Sequence, residues 1–470
     1  MFQTRDFTGA VYALRFAVIF MTFVLRPIYQ VSAEKSRGCT PPFLLPDRPF
    51  VVVWNVPSGV PCDQHDIHLS LAEWGILANK NDSFYGDQMA IFYGFGYWPY
   101  IEKNGKMHNG GVPQLADRAK HFRYADYFTK QLIPSPDFKG LAVLDWEAWR
   151  PYFYHNFDSL AVYKEKSVEL VQARFPAWTN KTQIWDEAER EFNIGARLIM
   201  QGTLEASQSL RPLGKWGYYG FPRCYGTSPS GDTCSYPETS TTNDKIGWLF
   251  KSSTALFPRI YTNPLKTSTT ARAHYVRQQI NETLRIQAKF TGLHVPTMPY
   301  SIFESGEYLF TEADLQFAVK EPADMGATGI VLWGSHHFFR GKKDCIRMQK
   351  YINTVLGPFV KNITDFAAAC STAICSGNGR CVRKDYEVLT QQHLRSNNKA
   401  ECLKPSTEYA EMSRKVPRQA DDLLREDYYR SSGQSDTLRY NPGPSSVKKY
   451  EDYVCRCLEG WSGPHCTKPD

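Results

Sequence analysis

The sequence predicts an α/β fold: a TIM-like β/α barrel over about residues 45–360, followed by a small disulfide-rich module. Three observations carry this. Apolar runs of strand length alternate with long amphipathic stretches. Several runs end in an acid, an amide or an aromatic residue. Seven of the twelve cysteines lie between Cys370 and Cys466. Strand–helix alternation of that extent buries a parallel sheet under helices, which is how barrels are built.

The strand-like runs are, in order, Phe50–Trp54, Met89–Tyr93, Leu141–Asp145, Trp216–Phe221, Ala255–Tyr261, Val295–Phe303 and Gly329–Trp333. Several are continuously apolar, as in strands covered on both faces. Pro113–Leu132, Leu160–Phe175 and Ile184–Leu210 are amphipathic and read as helices between them. Runs finish at Asn55, Tyr93, Asp145, Tyr261, Glu304 and Trp333. Barrel enzymes place their chemistry at the C-terminal ends of the strands, so these residues mark a cleft.

Where Leu141–Leu144 stops, Asp145 and Glu147 stand at i and i+2. In an extended chain such residues project to one side, with Cα atoms roughly 6–7 Å apart. Retaining glycosidases hold two carboxyl groups roughly 5–5.5 Å apart across the bond they cut. Asp-x-Glu is also common on solvated strand ends; the flanking Trp146, Trp149 and Arg150 favour a sugar cleft.

Residues 1–33 read as a signal peptide, with Arg5 and Arg15 before the apolar stretch Phe16–Leu25 and Val31-Ser32-Ala33 supplying the −3 and −1 positions of a cleavage site after Ala33. No second stretch of spanning length follows, so no membrane span is expected after its removal. Sequons at Asn81, Asn180, Asn281 and Asn362, with twelve cysteines, fit a secreted, disulfide-bonded glycoprotein, with the lysosome as an alternative destination. The formal charge of +7 is modest, and no Lys/Arg cluster interleaved with aromatics points to nucleic acid. His65-x-x-His68 lacks a third ligand, and His336-His337 reads as a solvated loop pair. Neither a metal nor a cofactor is expected, and nothing in the sequence calls for more than a monomer.

Cys370-x4-Cys375-x5-Cys381, then Cys455-x-Cys457-x8-Cys466 enclosing Gly460-Trp461-Ser462-Gly463, resembles an epidermal-growth-factor-like module. That resemblance implies the pairs Cys370–Cys381, Cys375–Cys455 and Cys457–Cys466. The chain divides accordingly into a leader (1–33), a catalytic barrel (34–365) and this module (366–470). An insert of about 382–454, crowded with charged residues, Gln and Ser, predicts a disordered loop. Its Cys402 is left with Cys39 as a partner by elimination.

A wider resemblance rests on Val53-Trp54-Asn55, Ile91-Phe92-Tyr93, Gly110–Gln114, Asp145-Trp146-Glu147-Ala148-Trp149-Arg150-Pro151, Trp216–Pro222 before Cys224, and Val331-Leu332-Trp333 before Cys345. In order and spacing these segments resemble the animal hyaluronidases, a glycoside hydrolase family. The resemblance implies a distorted β/α barrel with disulfides Cys62–Cys345 and Cys224–Cys234. It implies endo-hydrolysis of β-1,4 bonds between N-acetylhexosamine and glucuronate in hyaluronan, chondroitin or both. The reaction would retain configuration, with the substrate's own acetamide as nucleophile.

Glu147 corresponds to the proton donor, expected to be buried and raised in pKa, and Asp145 to the group orienting the acetamide. Tyr219, Tyr261 and Trp333 correspond to residues around the acetamido group, with Tyr93 and Asn55 as further candidates. Arg223 departs from the vertebrate pattern, where an acid precedes the cysteine, and a cation there suits a uronate carboxylate or a sulfate. Two other readings compete: a catalytically silent glycosaminoglycan-binding matrix protein, and a hydrolase of another N-acetylated polymer such as chitin.

Overall fold

The computed structural model describes residues 44–469 apart from 46, 226–233, 235–237, 292–294, 387–449 and 459. The leader, Cys39, Cys402 and most of the insert lie outside the described residues. Seven strands line the barrel: β1 Val51–Asn55, β2 Ile76–Ala78, β3 Met89–Phe92, β4 Leu141–Leu144, β5 Lys215–Tyr218, β6 Tyr300–Ser301 and β7 Gly329–Trp333. They form two parallel sheets, β2-β1-β7-β6 and β3-β4-β5.

The run Ala255–Tyr261 does not join as a regular strand. It bridges β5 through Tyr219↔Phe257, and bridges the chain leading into β6 through Leu256↔Thr297 and Arg259↔Tyr300. Gly217 permits that approach, because a Cβ there would collide with the Ala255 carbonyl. The remaining seam, between β2 and β3, is closed by a side chain. Buried Asn79 accepts from the backbone N–H groups of Gln88 (3.0 Å) and Met89 (3.1 Å), and its amide donates to the Met89 carbonyl at 2.9 Å. The barrel is thus eight positions round with two irregular seams, a distorted closure. Ile76–Ala78, three residues long, is a strand position absent from the sequence expectation.

Side chains alternate across each strand. Val51, Val53, Met89, Ile91, Leu141, Val143, Phe257, Met298, Tyr300 and Val331 fill the barrel interior. The intervening residues face outward into two clusters. Phe92, Leu144 and Trp216 pack with Phe192, Ala196, Ile199 and Leu204 of helix α3, Lys181–Leu210. Val52, Trp54, Ile330 and Leu332 pack with Phe303, Met348 and Val360.

The helices begin where the sequence supplies caps. Asp117 accepts from the Lys120 N–H ahead of α1 (Arg118–Leu132), and α2 covers Ala161–Arg174. Asn180 accepts from Thr182 and Gln183 ahead of α3, and Ser268 from Ala271 ahead of α4 (Thr269–Phe290). After β7, α5 (Lys342–Tyr351) passes through a π turn, Ile352–Leu356, into α6 (Gly357–Cys375). Pro358 lacks an N–H for the normal ladder, which accounts for a shifted turn just before it. Cys62–Cys345 ties the loop after β1 to α5 with Cα atoms 5.5 Å apart.

The boundary placed at 365/366 falls inside α6, so no linker separates barrel from module. Cys370 and Cys375, on the last turns of α6, bond to Cys381 and Cys455 in the antiparallel pair β8 (Gly379–Arg383) and β9 (Tyr453–Cys457). Cys457–Cys466 closes the tail. Residues at both ends of the expected insert are ordered in this hairpin, including buried Val382. The module sits on the barrel: Arg380 donates to the Pro49 carbonyl (3.0 Å) and Tyr453 Oη to Asp324 (3.0 Å).

Candidate active site

The interior positions continue, by the same alternation, past the packed layer to the C-terminal rim. Val53 is followed by Asn55, Ile91 by Tyr93, Val143 by Asp145, Gly217 by Tyr219, and Val331 by Trp333. Tyr219, Tyr261 and Trp333 pack as half-buried neighbours on the interior cluster. Trp333 Nε1 donates to Tyr93 Oη at 2.8 Å, and its ring stacks on Tyr261 at 6.2 Å and 23°. Tyr219 lies edge-on to Tyr300 at 5.0 Å, and Asn55 Nδ2 donates to Tyr300 Oη at 3.2 Å. Five aromatic side chains therefore surround the mouth above β4.

Asp145 stands in this ring with its backbone N–H bonded to the Phe92 carbonyl at 3.1 Å. Its Oδ1 is buried without a hydrogen-bond partner. Burial first, then the charge of Glu147, raises its carboxyl to about 7, opposed by Arg150. Burial raises the Tyr219 phenol to about 12, with both acids adding to the rise and Arg259 opposing it. Both acids thus act on one phenol. Asn55 Oδ1 is a second buried oxygen without a partner.

Two expectations need correction. Glu147 is exposed rather than buried, and burial acts on Asp145 instead. The chain leaves strand geometry at Leu144, so Glu147 is carried outward on a loop braced by Arg150 Nη1 donating to its carbonyl at 3.0 Å. Trp146 and Trp149 are not cleft walls. They pack with Trp98 in the outer cluster, at 4.7 Å and 6.1 Å, and Trp149 Nε1 donates to the Pro99 carbonyl at 2.8 Å.

Arg223 is half-buried beside the cleft, where its charge opposes that of Arg150. Its backbone is fixed by Asn243, which donates to its carbonyl at 2.9 Å. Cys224–Cys234 closes the next loop with Cα atoms 4.7 Å apart; most of that loop lies outside the described residues. Glu304 is not part of the ring. It is buried in the β-hairpin pair Glu304–Ser305, where burial raises its carboxyl to about 8 against the opposing charge of Arg347. Tyr300 and Arg259 are site neighbours that the sequence reading did not single out. Tyr300 had a usable signal, lying two residues past inward-facing Met298.

Among the described residues no three His, Cys, Asp or Glu side chains gather as a metal site, and His68 pairs with Asp63 at 2.8 Å. The sequon residues Asn81, Asn180 and Asn362 are exposed, and Asn281 is half-buried.

A family profile described as hyaluronidase matches residues 39–470. The chain belongs to the hyaluronidase family. It is 34% identical to rat Hyaluronidase-1 over 468 residues, 98% of this chain and 96% of the rat protein. It is 35% identical to human Hyaluronidase-1 over 465 residues, 94% and 97% respectively. Among solved structures, bee venom hyaluronidase in complex with a hyaluronic acid tetramer superposes with a TM-score of 0.62 at 34% identity. That match covers 67% of this chain and 99% of the venom enzyme. Membership in this hyaluronidase family makes the chain a glycoside hydrolase, and the distorted barrel is its family fold. No helix of the described residues is long and apolar enough to cross a membrane.

Proposed function

We propose that this protein is a secreted, monomeric endo-glycosidase that cuts β-1,4 bonds between N-acetylhexosamine and glucuronate in hyaluronan, chondroitin or both. The observation that carries the reading is the pair of neighbouring carboxyls, Asp145 and Glu147, just past the end of β4 beside the aromatic ring of side chains, with the charge of Glu147 acting on Asp145, in a chain of the hyaluronidase family.

Glu147, exposed on its loop, gives its proton to the glycosidic oxygen as the C1–O bond breaks. The substrate's acetamido oxygen attacks C1 and closes an oxazolinium-like ring. Asp145 accepts the acetamide N–H and offsets the positive charge that develops. Its position supports that role, because Oδ1 is buried without a partner and lacks a donor. Tyr219 and Tyr261 hydrogen-bond the acetamide, and Trp333 and Tyr93 form its wall. Glu147, now a carboxylate, takes a proton from water, which opens the ring with retention. The leader and four sequons support export and glycosylation.

The alternative, a silent binding protein, is disfavoured by the presence of both acids and the cleft phenols. Glu147→Gln tests it. Release of new reducing ends from hyaluronan should fall about 1,000-fold or more while oligosaccharide binding persists. Turnover equal to that of the parent protein would remove Glu147 from the mechanism.

A further inference from the structure

Three guanidiniums converge on the Glu147 side of the cleft from distant parts of the chain. Arg150 follows β4, Arg223 follows β5, and Arg259 sits in the bridged segment before β6. All three are half-buried, and among the described residues none makes an ion pair with a carboxylate within salt-bridge distance. Arg150 is spent on a backbone contact to Glu147, and Arg259 lies 5.8 Å from the centre of the Tyr261 ring. The charges of Arg223 and Arg259 oppose that of Arg150, and Glu147 is the carboxylate that favours both Arg150 and Arg259.

The buried imidazole beside Arg223 and Arg150 is neutral. His155 is buried, stacks on Tyr225 at 4.4 Å, and has Nδ1 without a partner; Tyr225 Oη is also partnerless. Burial, then Arg223, Lys245 and Arg150, lowers the His155 pKa to about 3, so this ring adds no charge. Collecting like charges in partial burial is costly unless an anion joins them.

We propose that Arg150, Arg223 and Arg259 form an anion-binding subsite that seats a charged oxygen group of the polymer, a uronate carboxylate or a sulfate ester, next to the bond that is cut. This rests on the functional reading above and adds to it a determinant of polymer preference. Planar guanidiniums suit either oxyanion through paired N–H donors.

The test uses the full chain with Arg223→Gln, Arg259→Gln and the double variant. Each is assayed on hyaluronan, unsulfated chondroitin and chondroitin 4- and 6-sulfate. The same changes placed in Glu147→Gln give Kd by direct binding as NaCl is raised. We expect KM and Kd to rise about tenfold per arginine, with a shallower salt dependence, and Arg223→Lys to recover the salt dependence. Equal losses on every polymer assign the subsite to the uronate; losses confined to the sulfated chondroitins assign it to the sulfate. Unchanged KM, Kd and salt dependence in a folded double variant overturn the subsite. Absence of cleavage by the parent protein on all four polymers overturns the glycosidase reading instead, and Kd still judges the arginines.

Discussion

Trp333 and Tyr93 stand at the barrel mouth, 240 residues apart in sequence, and meet through a 2.8 Å indole-to-phenol hydrogen bond. The bond joins the ends of β7 and β3, strands in different sheets, and fixes the Trp333 plane against Tyr261. Tyr93→Phe removes the acceptor and leaves the ring. The expected loss is about 1 kcal/mol of stability with a several-fold rise in KM for hyaluronan. Trp333→Ala removes the wall itself, and kcat/KM should drop at least 100-fold, as measured by reducing-end assay.

The acid pair has a titration signature. Asp145 is lifted to about 7 first by burial and second by Glu147. Glu147→Gln removes the second cause and leaves the first, so the Asp145 pKa should move down yet stay above its ordinary 3.8. Carboxyl-carbon NMR against pH reads this directly. An unmoved midpoint would show that the two carboxyls do not share the cleft.

Glu304 offers a stability test remote from catalysis. Burial raises its carboxyl to about 8 from an ordinary 4.5. The folded protein therefore holds this proton more tightly than the unfolded chain. The resulting stability is complete below about pH 4.5 and is lost as pH rises through about 8. Glu304→Gln should match the parent protein at pH 5 and exceed it at pH 9 by about 1–3 kcal/mol, measured by urea titration at both values.

The Cys62–Cys345 bond spans 283 residues of sequence. On a chain-entropy argument it contributes about 5–6 kcal/mol by restricting the unfolded chain. Paired Cys62→Ser and Cys345→Ser changes should lower Tm by roughly 10 °C in calorimetry. The same pair of changes at Cys224 and Cys234 should cost less, because that loop is only 10 residues.

Much of this site was legible because strand alternation is a two-residue code: once Ile91 and Val143 are interior, Tyr93 and Asp145 follow. The rest depended on features that no local pattern carries. Ile76–Ala78 is too short to stand out as a run, and its seam is closed by Asn79, a polar residue whose partners lie 9 and 10 residues on. Glu147 was expected to be buried from its neighbours in sequence, yet the chain turns away after Leu144. Trp146 and Trp149 suggested a sugar platform, but their side of the chain is decided by α3 and Trp98. The arginine cluster joins positions from 150 to 259, and its convergence exists only in three dimensions.

Helix α6 gives Phe359, Val360 and Ile363 to the barrel and, on the same run of backbone hydrogen bonds, Cys370 and Cys375 to the tail. A cut anywhere along it leaves each side with a frayed end and a missing wall. The tail is therefore no detachable cassette that gene shuffling could trade between proteins. It is the far end of the barrel's last helix, and the two parts should melt in one transition.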